Sequence, residues 1–184
     1  MGETNDAGRV QYLSFSLRET EYAVGILQVK EILQYEQTTR VPATPRSVRG
    51  VINLRGQVVP VLDLAAKFGL GETEPTRLTC ILIVEAQLEG AATVVGVMAD
   101  SVQEVIELGP NDIEPTPAFG TQVRVDFLVG VGKIGKRFVL LLDLDRVISA
   151  DEKEFAREAA AAPEAFPTEP PVAPESAQEQ AARS

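Results

Sequence analysis

Short apolar runs of strand length, separated by polar or glycine-containing breaks, carry the pattern of the first 148 residues. Two of them, Val51–Leu54 and Val58–Leu62, are rich in β-branched residues and flank Arg55-Gly56-Gln57. Such a pair joined by a short glycine-containing connection predicts a β-hairpin. Gly56 supplies positive φ in the turn at no steric cost, which leaves Arg55 at the hairpin tip. Asp63 follows the second run and is placed to cap a short helix over Leu64–Phe68, with Gly69 at its C′ position. Pro60 inside the second run predicts an edge strand or a bulge, because proline has no N–H for a ladder.

The same reading extends along the chain. Val10–Leu17 and Glu21–Val24, around Arg18-Glu19-Thr20, predict a hairpin, and Gly25–Gln28 a short break with one helical turn. Val29–Tyr35 fits either helix or strand. The strand reading puts Val29, Glu31 and Leu33 on one face and Lys30 and Ile32 on the other. Arg40–Pro45 is extended, since each proline moves its predecessor out of the α region. Leu78–Glu85 is a continuous apolar run that predicts a strand buried on both faces, with Cys80 as a core thiol. Further strands are expected over Ala92–Met98 and Val102–Leu108, a loop over Gly109–Gly120, and a hairpin from Val125–Ile134 and Arg137–Leu142, followed by a helical turn over Asp143–Ile148.

A repeat lies in this pattern. Gly50-Val-Ile-Asn-Leu…Val-Leu-Asp63-Leu64 matches Gly130-Val-Gly-Lys-Ile…Leu-Leu-Asp143-Leu144 at a constant offset of 80 residues. Upstream, Val29-Lys-Glu31-Ile32 resembles Val102-Gln-Glu104-Val105. Two related small β units are implied, and each alone would be marginal at this size, so they should share a core. Residues 1–9 are polar and expected to be disordered, residues 10–150 form the β region, and Asp151–Ala162 is helix-prone with acids where the helix dipole favours them. Pro163–Ser184 is Pro-, Ala- and Glu-rich and is expected to be disordered.

Composition narrows the chemistry. The 184 residues carry 17 Lys+Arg and 27 Asp+Glu, a net charge of −10, which argues against nucleic acid or an anionic membrane as the main partner. No apolar run approaches the roughly 20 residues that span a bilayer, and the polar N-terminus matches neither a secretory signal nor the myristoylation pattern. The one cysteine fits a reducing compartment. The absence of histidine removes the commonest general base, the commonest metal ligand and any phosphorylatable histidine. Gly130-Val-Gly132-Lys-Ile-Gly135 fits G-x-G-x-x-G but leads into a strand, so it reads as a hairpin turn and not a phosphate cradle. Asp63 and Asp143 read as helix caps, and the acids of 102–108 and 152–158 as solvated faces. A small enzyme using Asp63, Asp100 and Asp143 on a barrel rim is the rival reading, without adequate motif spacing. From the residues alone, Arg55 is either a solvated turn cation or a contact, and Glu31 fits an ordinary strand position.

The blocks FSLRETEYAVGILQVKEIL, RVPATP, VRGVINLRGQVVPVLDL, VVGVMADSVQEVIEL, PTPAFG and LVGVGKIGKRFVLLLDLDRVI, over about Gln11–Ile148, resemble the CheW family of chemotaxis coupling proteins in order and spacing. The resemblance implies a mainly β fold of two SH3-like five-stranded β-barrel subdomains sharing a hydrophobic core, with short helices. It implies no catalytic activity and no cofactor. It further implies an adaptor, cytoplasmic and recruited to membrane-associated arrays without inserting into the bilayer. Its partners would be the helical cytoplasmic tip of chemoreceptors and the regulatory domain of the histidine kinase CheA. Val29, Glu31 and Arg55 match family receptor contacts, and Phe119 matches a kinase contact. Glu114 and Ala118 depart from that second pattern, standing where a basic residue and an acid can occur. A CheW-like adaptor of a parallel system, such as pilus-based motility, fits the same motifs.

Overall fold

Two hairpins of identical register, 80 residues apart, set the architecture. The computed structural model describes residues 8–42, 44–116 and 125–162. Within them the strands are β1 (Val10–Leu17), β2 (Thr20–Gly25), β3 (Val29–Gln34), β4 (Val48–Leu54), β5 (Gln57–Asp63), β6 (Cys80–Leu88), β7 (Ala91–Ala99), β8 (Ser101–Leu108), β9 (Ile113–Glu114), β10 (Leu128–Ile134) and β11 (Arg137–Leu142). The helices are α1 (Leu64–Lys67), α2 (Leu144–Val147) and α3 (Ala150–Ala161). Hairpin β4–β5 pairs Gly50 with Val61, Ile52 with Val59 and Leu54 with Gln57. Hairpin β10–β11 pairs Gly130 with Leu141, Gly132 with Val139 and Ile134 with Arg137. Each has its register shift at the equivalent place, Val48/Gly50 and Leu128/Gly130. A backbone hydrogen bond of 2.8 Å closes both, from Asp63 N to Ser47 O and from Asp143 N to Phe127 O. Glycine is required at the shift: a Cβ on Gly50 would lie 2.5 Å from Thr39 O, and one on Gly130 2.8 Å from Glu114 O.

The units are interleaved in the chain. The first sheet runs β8-β1-β2-β11-β10-β9 and the second β3-β6-β7-β5-β4. The N-terminal hairpin β1–β2 therefore belongs with the C-terminal hairpin, through a parallel pairing of β2 with β11 that mirrors β7 with β5. The core has three layers. Ala23, Ile106, Leu108, Val139 and Leu141 fill the first subdomain. Val59, Val61, Ile81, Ile83 and Met98 fill the second. Between them lies the shared core, with Leu13, Phe15, Leu17, Tyr22 and Leu142 from one side and Leu62, Leu82, Val84, Val95 and Val97 from the other. Alternation along each strand divides the side chains between the two layers it touches. A file of rings, Phe15–Tyr22–Phe68–Phe127, crosses the shared layer with centroids 6.0, 5.9 and 5.8 Å apart.

The mainly β, two-subdomain fold agrees with the expectation, and four details correct it. Pro60 lies neither on an edge strand nor at a bulge, since β5 runs between β7 and β4. It is tolerated because its partner Val51 exchanges hydrogen bonds with Thr39 instead (2.8 and 2.9 Å), and the ladder to β7 starts only at Val61. The loop expected over Gly109–Gly120 contains a 3₁₀ turn, Pro110–Asp112, and β9, which gives the first sheet a sixth strand. Cys80 opens β6 and is half-buried instead of lying in the core.

The fourth correction concerns α3. Glu152 is not on a solvated face but 3% exposed. Its carboxylate takes both oxygens to Lys67 Nζ at 2.7 Å, accepts from Ser149 N at 2.9 Å, and accepts from Ser47 Oγ. Next to it, Lys153 is buried and donates to Gln87 O (2.7 Å) on β6 and to Asp145 O (2.9 Å) on α2. The first turn of α3 thus ties the two subdomains together, and Ala156 joins the shared core. Further along, Phe155 and Ala159 cover Val51 and Val58 on the outer face of β4–β5.

Candidate functional site

The outer strands of the second sheet, β3 and β4, meet across the barrel. Leu33 of β3 packs in the same cluster as Ile52 and Leu54 of β4, which draws the two edges together. At their rim Arg55 Nη2 lies 2.8 Å from Glu31 Oε1. Arg55 occupies the first position of a two-residue turn, with φ of 53° at Arg55 and 86° at Gly56. Positive φ at both positions matches the twist of the flanking strands. The turn is held by Gly56 N donating to Asn53 Oδ1 at 2.7 Å. The side chain of Arg55 is 75% exposed and that of Glu31 28%. An arginine offers five donors in a fixed fork, so the outward side of the guanidinium remains open to a further acceptor.

Sequence reasoning names Val29, Glu31 and Arg55 separately, and the structure brings Glu31 and Arg55 into contact. Val29 begins β3 opposite Val84 and packs against the edge of the shared core, whereas Glu31 stands opposite Ile83. The bulge between them turns the two side chains to opposite faces, which corrects the expectation that Val29 shares a face with Glu31 and Leu33. Just before it, Gly25, Ile26 and Leu27 line a cleft of about 480 Å³ with Arg9, Val10, Gln11 and Glu107 of the first subdomain. Leu27, in this cleft, is almost wholly exposed. Phe119 lies outside the described residues.

The first subdomain has an ion cluster of its own, but not at the equivalent arginine, since Gly135 stands 80 positions after Arg55 and Arg137 corresponds to Gln57. In the first subdomain Arg137, at the start of β11, contacts Glu104 of β8 and lies 3.4 Å from Glu21 of β2. The hydrogen bond with Glu104, and then the charge of Glu21, raise the pKa of this guanidinium.

The carboxylates of the rival enzyme reading are each engaged locally. Asp63 is buried, caps α1 through Ala65 N and Ala66 N (3.1 and 3.3 Å), and accepts from Thr73 N and Thr73 Oγ1 (both 2.7 Å) and from Arg49 (3.3 Å). Asp143 caps α2 through Asp145 N at 3.1 Å, and Asp100 accepts from Arg18 N at 2.8 Å. Among the described residues no group of three or more His, Cys, Asp or Glu is placed to hold a metal ion. None of their helices is long and apolar enough to cross a membrane.

Paired SH3-like subdomains around one core, with an exposed ion pair and an apolar cleft on the surface, define a scaffold of the type that works by contact. The chain belongs to the CheW-like domain family, whose sequence profile matches residues 11–152. It is 35% identical over 142 residues to the chemotaxis protein CheW of Klebsiella aerogenes, covering 77% of this chain and 83% of that one. To the chemotaxis protein CheW of Rhizobium meliloti it is 34% identical over 149 residues, covering 81% and 94%. The crystal structure of the scaffolding protein TtCheW from Thermoanaerobacter tengcongensis superposes with a TM-score of 0.69 at 31% identity, covering 83% of this chain and 96% of that chain. The protein is a chemotaxis scaffold and not an enzyme.

Proposed function

We propose that this scaffold couples the cytoplasmic tip of chemoreceptors to the regulatory domain of the histidine kinase CheA, and is recruited in that way to membrane-associated receptor arrays. The observation that carries the reading is the exposed Arg55–Glu31 pair at the rim of the second barrel, beside Val29 and the apolar cleft. A helical receptor tip would lay apolar side chains against Val29 and the cleft while a carboxylate joins the free side of Arg55. Phe119 stays in the kinase-facing part of the proposal on the sequence resemblance. Kinase output would change because the scaffold favours one relative arrangement of its two partners, as coupling between sites requires differential contacts in two states.

The test is co-sedimentation of Arg55→Glu with receptor-bearing membranes, alongside Glu31→Arg and the double exchange. The expected result is loss of recruitment in Arg55→Glu with an unchanged circular dichroism spectrum. Full recruitment of a folded Arg55→Glu protein would overturn the assignment. Recovery of full recruitment in the double exchange would show that the internal pair, and not a receptor carboxylate, is what Arg55 serves.

A further inference from the structure

The course of α3 over the outer face of β4–β5 leads toward the hairpin tip. Its first turn stands at the base, where Glu152 accepts from Lys67 Nζ and from Ser47 Oγ. Ala156 then joins the shared core with Leu62, and Ala159 lies on Val51 and Val58. Val58 pairs with Asn53, two residues short of Arg55. Alternation puts Val51 and Asn53 on this same face. Val51 is buried under the helix, whereas Asn53 is exposed. α3 ends at Ala161, and Pro163 cannot extend it. The chain therefore leaves the helix toward the uncovered end of the face, where the turn carries Arg55. Val41, which packs on the same cluster as Ala159, is preceded by Arg40, exposed and without a carboxylate partner among the described residues.

From this we infer that Pro163–Ser184, the segment that follows α3, docks on the Arg55 rim of its own chain. Connectivity decides the occupant. Glu164 is two residues past Ala162, and each residue reaches up to about 3.5 Å, so the tether delivers a carboxylate to the rim. The segment as a whole carries Glu164, Glu169, Glu175 and Glu179 against one cation, Arg183. Arg55 gives Nη2 to Glu31, yet its side chain is 75% exposed, so the outward donors of the fork can take a second carboxylate. A surface ion pair is weak by itself. A short tether raises the local concentration of the carboxylate to the millimolar range, so even a weak contact is populated in part. A receptor tip that needs the same guanidinium then binds only the open fraction, and its apparent affinity falls in proportion. That consequence rests on the reading of Arg55 as the receptor-facing group; the docked segment does not.

The test records amide chemical shifts of the isotope-labelled full chain, of the chain truncated after Ala162, and of the full chain carrying Glu164→Lys and Glu169→Lys, all without a partner. Both variants should depart from the full chain at Asn53–Gln57 and at Arg40–Val41, in the same pattern, and raised salt should move the full chain toward them. Three outcomes would each overturn the inference: no difference at these residues; differences on truncation that the lysine variant does not reproduce; and differences that grow with protein concentration, which would make the occupant the segment of a second copy. The lysine variant keeps the test open should truncation disturb α3. In co-sedimentation with receptor-bearing membranes, the truncated chain should bind about three- to tenfold tighter than the full chain. Equal affinities, with Arg55→Glu defective in recruitment, would overturn the masking that docking entails. Rim shifts together with undiminished recruitment of Arg55→Glu would instead strike the receptor reading and leave the docked segment standing.

Discussion

Arg55 and Glu31, 24 positions apart in the chain and on opposite edges of the second sheet, meet at 2.8 Å. The pair is exposed, so its contribution to stability is small, on the order of 0–1 kcal/mol. Urea denaturation of Arg55→Glu should therefore give a midpoint near that of the parent protein. A loss of several kcal/mol would reassign the pair from surface recognition to structure.

Lys67 and Glu152 form the opposite case, with side chains 11% and 3% exposed. Removing one partner strands a buried charge. Glu152→Ala should cost about 3–5 kcal/mol, whereas replacing both residues with methionine should cost far less. Thermal melts of the two variants decide the matter, and equal losses would contradict the assignment of a buried ion pair.

The equivalent caps Asp63 and Asp143 should differ in the same sense. Asp63→Ala removes a cap, the carboxylate facing Arg49 and the acceptor of the Thr73 amide and hydroxyl, a loss of about 3 kcal/mol. Asp143 has only its cap and an exposed partner in Arg146, so alanine there should cost about 1 kcal/mol. Chemical denaturation measures both, and an inverted order would mean that the network around Thr73 is inert.

Burial raises the pKa of Tyr22 above the ordinary tyrosine value. The folded state therefore holds the phenolic proton more tightly than the unfolded chain does. The corresponding stability is fully present below about pH 10 and lost as pH rises through the folded pKa. Melting temperatures between about pH 8 and pH 11 should fall along an alkaline limb that Tyr22→Phe flattens. A limb unchanged in the variant would place its origin elsewhere.

The hairpins, their glycine turns and both aspartate caps are legible in the sequence because each rests on local chemistry: β-branched runs, a turn residue, a carboxylate next to free amides. The 80-residue repeat likewise foretells a common register. The interleaving of the units is not legible, since nothing local in Val10–Gly25 says that its neighbour will be β11, more than 110 positions away. Glu152 misleads because an acid on an Ala-rich helix is ordinarily solvated, and its cation, Lys67, sits 85 positions earlier. One signal is present: Ser149 and Glu152 are spaced as a capping box, which marks the start of a defined helix. Pro60 misleads because the rule about proline assumes a ladder on both sides, and here that of β7 begins one residue later.

The interleaved order bears on how the molecule is made. The strands of the second barrel are contiguous in the chain, from β3 to β7, and can assemble while the ribosome is still translating the C-terminal third. The first barrel has its opening hairpin emerge earliest and its closing strands last, so β1 and β2 must wait with unsatisfied edges through more than 75 codons before β8 emerges, and longer still for β11. Vectorial synthesis thus gives this fold a half-built intermediate whose exposed N-terminal strands are the place for a nascent-chain chaperone to bind, and the place where aggregation would begin if none did.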